Sequence, residues 1–162
     1  MLSMTYRLTP EARANISRIL AVETKRLGEI LIEADLVSAR QIESALQDKI
    51  QYPNLRIGEI LAKKEFIKPE TADFFVRDWT KAIAEAEKYA LGYYLMQAAI
   101  LNNEQIEIIL AEQRKSGVRF GTVAVFQGFI KSTTLDFFLA NLFPAELHVS
   151  PFVNMQRGST LF

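Results

Sequence analysis

The sequence predicts an all-α protein built from duplicated helix–turn–helix units. Three observations carry that expectation. An arginine–apolar–glycine pattern recurs at Arg26-Leu27-Gly28, Arg56-Ile57-Gly58 and Arg119-Phe120-Gly121, with a looser copy at Ala90-Leu91-Gly92. Each copy runs into apolar residues at helical spacing, then a polar break, then a second periodic segment. The copies also pair: Gln41-Ile42-Glu43 matches Gln105-Ile106-Glu107, and Asp73-Phe74-Phe75 matches Asp136-Phe137-Phe138. A two-unit block has therefore been duplicated, with starts 64 residues apart (26 to 90) and 63 apart (56 to 119).

Residues 1–25 form a lead-in segment. Thr9 caps and Pro10 opens a helix over 10–25, with Ile16, Ile19 and Leu20 on its apolar face. The first block covers 26–79. In its first unit Leu27, Ile30, Leu31 and Ala34 share a helical face. Asp35 stands where the chain must reverse, a place that Gly128 takes in the fourth unit; both residue types tolerate a left-handed turn. Ser38-x-x-Gln41 fits a capping box for the next helix. Gln51-Tyr52-Pro53-Asn54 reads as a connector. In the second unit Pro69 suits the first helical position, because its missing N–H costs nothing there. A long helix is expected over 69–89, with 80–89 joining the blocks. The second block covers 90–143, with Asn102 or Asn103 as a cap and Lys115-Ser116-Gly117 as its connector. Residues 144–162 form a tail. Extension along a partner, packing onto the domain and a free end are all open readings for it.

Composition excludes several functions. The 162 residues include no cysteine and one histidine, which removes disulfides, thiolate metal sites and most histidine chemistry. Nineteen basic residues balance nineteen acidic ones, so a nucleic-acid polymer is not an expected partner. With 49% hydrophobic residues the chain can bury a real core. The first twenty residues lack an apolar signal-peptide run, and no stretch is apolar enough to span a membrane. A cytoplasmic location follows as the expectation. No GxxxxGK[ST] phosphate loop and no nucleophile–histidine–acid set is legible, so an enzyme is not expected. Neither a metal nor a required cofactor is expected.

The run RLGEILIEADLVSARQIESAL, from Arg26 to Leu46, resembles the repeated motif of MshEN-type domains. These are the N-terminal regulatory domains of type II secretion and type IV pilus assembly ATPases. The family motif begins Arg-Leu-Gly and continues with an apolar stretch, a glycine, two apolar residues and a helix ending near a glutamine. The resemblance covers 26–143 as two tandem pairs. It implies a small, mostly helical domain and, where two motifs meet, a site for cyclic di-GMP. Position by position, arginine is present at Arg26, Arg56 and Arg119 but is Ala90 in the third unit. The late glutamine is present at Gln113, with Lys49, Trp79 and Leu142 elsewhere. The turn glycine is present at Gly128, with Asp35, Glu65 and Ala99 in the other units.

Two functional expectations follow. One is a non-catalytic regulatory adaptor that works by protein–protein contact on an MshEN-like scaffold. The other is a sensor that holds cyclic di-GMP or a similar anion. Its candidate residues are Arg26, Leu27, Gly28, Arg56, Ile57, Gly58, Gln113, Arg119 and Gly121. Arginine can grip a phosphate or stack on a base, and glycine lets backbone N–H groups approach an anion. Glycine that merely lets helices pack closely, with arginine covering the surface, is the alternative at the same positions. All eleven phenylalanines lie from Phe66 onward, which marks the later half as the protein-contact side. The candidates there are Phe74, Phe75, Phe137, Phe138, Phe152 and Phe162. Adjacent helical residues cannot both face one narrow stripe, so one of each Phe-Phe pair can stand partly exposed as a partner surface; a broad buried face in a two-block protein is the reading preferred over it.

Overall fold

The computed structural model describes residues 9–11 and 26–147. The lead-in helix beyond residue 11, His148, and the tail with Phe152 and Phe162 lie outside the described residues. The described residues are helical, with no strand among them. In chain order the helices are α1 (Leu27–Glu33), α2 (Ala39–Asp48), α3 (Ile57–Lys63) and α4 (Pro69–Asp73). A π-helical turn (Phe74–Asp78) leads from α4 into α5 (Trp79–Ala84). Then come α6 (Leu91–Gln97), α7 (Asn103–Ser116), α8 (Phe120–Phe126), α9 (Ser132–Leu142) and α10 (Pro144–Leu147).

The repeat is written in the backbone. Asp35, Glu65, Ala99 and Gly128 all take left-handed backbone, with φ of 54, 59, 54 and 74°. Each follows a seven-residue helix that ends in the same pair of hydrogen bonds. In the first unit Asp35 N donates to Ile32 O at 2.9 Å, and Leu36 N donates to Leu31 O at 3.0 Å. The other units repeat this with Glu65 and Phe66, Ala99 and Ile100, and Gly128 and Phe129. This is the Schellman ending, which satisfies carbonyls that a helix C-terminus leaves open. The helix that follows starts on its own cap. Ser38 with Gln41 and Asn102 with Gln105 form full capping boxes, and Pro69 opens α4.

The helix over 69–89 ends earlier than its pattern suggests. It stops at Ala84, because Glu85 is extended (φ −63°, ψ 128°). Lys88 Nζ then folds back and donates to the carbonyls of Ala82, Ile83 and Glu85. A lysine near a helix C-terminus can satisfy the last carbonyls that the helix leaves open.

The two blocks share one core. Leu31, Ile60, Leu61, Leu95, Ile109 and Phe138 are all buried within it. Two buried hydrogen bonds tie the blocks in equivalent ways. Thr134 Oγ1 donates to Ala34 O at 2.8 Å, and Thr71 Oγ1 donates to Ala98 O at 2.7 Å. Each threonine begins the second helix of an even unit, and each carbonyl ends the short helix of an odd unit in the other block. Between these ties lies an aromatic cluster. Trp79 stacks on Phe137 at 5.1 Å and 17°, and Phe75 lies 6.2 Å from both Phe137 and Phe138.

The cluster corrects the partner-contact reading of the phenylalanine pairs and agrees with the broad buried face. Phe74, Phe75, Phe137 and Phe138 are all buried, and none forms a partner surface. The α4–π–α5 rod and α9 each pack against their own unit on one side and the other block on the opposite side. A helix covered on two sides buries a wider arc than a single stripe.

Candidate functional site

Arg26, Arg56 and Arg119 hold the N-cap positions of α1, α3 and α8, and Ala90 holds that of α6. All four are exposed. Beside Arg56, the Glu59 carboxylate accepts from the Arg56 backbone N–H at 2.6 Å. The glycines two residues on are buried and face side chains. A Cβ on Gly28 would lie 3.4 Å from Ile42 Cδ1, and one on Gly58 would lie 3.1 Å from Leu27 Cδ2 and from Ala72 Cβ. On Gly92 it would meet Phe120 Cζ at 2.8 Å, and on Gly121 it would meet Leu135 Cδ1 at 2.5 Å. In every unit the small residue admits a neighbouring side chain at close range.

The candidate residues separate into two equivalent grooves of about 310 Å³ each. The first collects Leu27, Arg56, Ile57 and Gly58, with Ala72 and Val76 as its far wall and Asp73 and Arg77 on its rim. The second collects Leu91, Arg119, Phe120 and Gly121, with Leu135 and Leu139 as its far wall. Gln113, Phe143 and Glu146 complete it. Thus Gln113, Arg119 and Gly121 come together, and so do Leu27 and Arg56-Ile57-Gly58. Arg26 and Gly28 line neither groove. Both grooves have apolar floors, and charges of both signs line them: Arg56, Arg77, Glu59 and Asp73 in one, Arg119 and Glu146 in the other. A third groove of about 480 Å³ lies between α6, α7 and α8 and shares Leu91, Gln113 and Phe120 with the second. Its walls include Met96, Ile106 and Leu110. Among the described residues no group of three His, Cys, Asp or Glu is placed to hold a metal ion.

A fourth pocket, of about 190 Å³, lies at the junction of the blocks and was not foreseen from the sequence. Tyr89, Tyr93 and Tyr94 line it together with Phe74, Asp78 and Glu85. Tyr89 and Tyr93 lie with ring centroids 4.4 Å apart, and Tyr93 meets Tyr94 edge-on at 5.4 Å and 81°. Tyr94 is buried and its Oη accepts from the Tyr89 backbone N–H at 3.1 Å. Burial raises the Tyr94 phenol above its ordinary value, against the lowering effect of that N–H. Burial likewise lowers the nearby Lys88 ammonium, and the charge of Glu85 opposes the shift. The signal was present in the sequence: the third unit reads GYYL where the first two read GEIL.

An uncharacterised protein of Picosynechococcus sp. is 40% identical to this chain over 116 residues. The match covers 72% of this chain and 63% of that protein. The chain therefore spans less than two thirds of the length of the relative it matches. No protein-family model matches the chain, and no solved structure matches it.

Proposed function

We propose that the chain is a non-catalytic adaptor that works by protein–protein contact on an MshEN-like helical scaffold. The observation that supports this reading best is the use made of the glycines. In all four units the glycine of the repeated triplet is filled by a neighbouring side chain at 2.5–3.4 Å from where a Cβ would stand. The grooves left beside the triplets have apolar floors, as surfaces that take up a partner's side chains do. The test is capture of the full chain from its own cells under gentle conditions, with the bound fraction quantified. The reading expects a stoichiometric protein partner, and its loss on Val76→Asp, which puts a charge on an exposed groove residue. Recovery of the protein alone counts against it.

The sensor reading is favoured by one feature, the two arginines Arg56 and Arg77 on the rim of the first groove. If cyclic di-GMP binds there, it stabilises the native state and raises Tm, by about 2.7 kcal/mol of added stability at a hundredfold excess over Kd. Arg56→Ala should abolish the rise. An unchanged Tm at high ligand concentration sinks this second reading and leaves the first standing.

A further inference from the structure

We propose that the tyrosine pocket of the third unit binds a cationic group, a guanidinium or an alkylammonium. The proposal is independent of the adaptor reading.

Comparison of the units shows that the core does not require the Tyr93 ring. Tyr93 occupies the place of Glu29, Glu59 and Thr122 in the other units. Glu29 and Glu59 are exposed, so a polar residue satisfies the fold there. Tyr93 is itself 40% exposed and Tyr89 is 59% exposed. Tyr94 takes the buried place of Ile30, Ile60 and Val123, but it adds a hydroxyl that holds the Tyr89 backbone. The result is two exposed rings, Tyr89 and Tyr93, with centroids 4.4 Å apart, braced by a buried third, Tyr94, that meets Tyr93 edge-on. The face of an aromatic ring carries negative potential and attracts a cation, most strongly where water is partly excluded.

The charges point the same way. The Asp78 and Glu85 carboxylates line the pocket, and among the described residues neither is in an ion pair. Lys81 is the cation that lines it with them, and it opposes binding. Lys88 does not line the pocket; its Nζ donates to the backbone carbonyls of Ala82, Ile83 and Glu85, and it partly offsets the Glu85 charge.

The test is an NMR titration of the ¹⁵N-labelled full chain with N-acetyl-arginine amide and, separately, with tetramethylammonium chloride, against sodium chloride at equal ionic strength. Saturable shifts are expected at the Tyr89, Tyr93 and Gln97 amides. Tyr93→Thr installs the residue that the fourth unit carries and leaves the charge unchanged; it should weaken binding about fivefold. Asp78→Asn, at an exposed position, should also weaken it, and Lys81→Gln should tighten it. Saturation by the guanidinium compound alone assigns the site to an arginine side chain of a partner. Saturation by tetramethylammonium assigns it to a small organic ammonium. Failure of both compounds to saturate overturns the proposal, as do shifts that Tyr93→Thr and Asp78→Asn leave unchanged.

Discussion

At the tenth position of each unit the backbone is left-handed, yet only Gly128 is a glycine there. A side chain in that conformation costs about 1 kcal/mol. Ala99→Gly should therefore stabilise the protein by about 0.5–1 kcal/mol. The measurement is the urea midpoint, which should rise with the slope unchanged. Asp35 is different, because its carboxylate accepts from Thr133 Oγ1 at 2.6 Å and pairs with Lys131 Nζ at 3.6 Å. Asp35→Gly should gain less than Ala99→Gly for that reason. The triplet glycines respond in the opposite sense. Gly121→Ala sets a methyl against Leu135, which is 2% exposed and cannot withdraw. It should cost about 1–3 kcal/mol, read in the same denaturation experiment. Asp35 and Gly128 announce their turns by residue type. Glu65 and Ala99 do not, and only alignment with their repeat partners places them.

The helices show where periodicity suffices and where it does not. The capping boxes at Ser38 and Asn102 are legible because each is a local exchange of two hydrogen bonds over four residues. The end of the long helix at Ala84 is less so, since Lys88 reaches it from four residues beyond. Burial of both members of Phe74-Phe75 and Phe137-Phe138 depends on which elements cover them, and one helix's own pattern does not contain that. The same holds for Thr71 and Thr134, whose hydroxyls look like ordinary first-turn polar groups. Each bonds a carbonyl in the other block, 27 and 100 residues away respectively. Thr134→Val and Thr71→Val should each cost about 1–3 kcal/mol, because the buried carbonyl loses its donor. Thr→Ser at the same sites keeps the hydroxyl and should cost less. Equal losses for Val and Ser would show that the methyl, and not the bond, matters.

For the whole molecule, the shared core makes one cooperative unit of two blocks. Trp79, from the first block, packs on Phe137 and Phe138 of the second. Its fluorescence and the far-ultraviolet circular dichroism should therefore report one coincident urea transition. Two separated transitions would show that the blocks unfold independently. The sequence by itself determined the helical class, the unit boundaries near Arg26, Arg56, Ala90 and Arg119, and most caps, because these rest on interactions within a few residues. It also held the tyrosines at 89, 93 and 94 in plain view, without their meaning. Only the tertiary structure decided that the glycines are filled by side chains, that the four phenylalanines meet at one centre, and that Arg56 and Arg119 lie in separate grooves. Those facts depend on contacts between residues distant in the chain, and local periodicity records only that a face is apolar, not what will cover it.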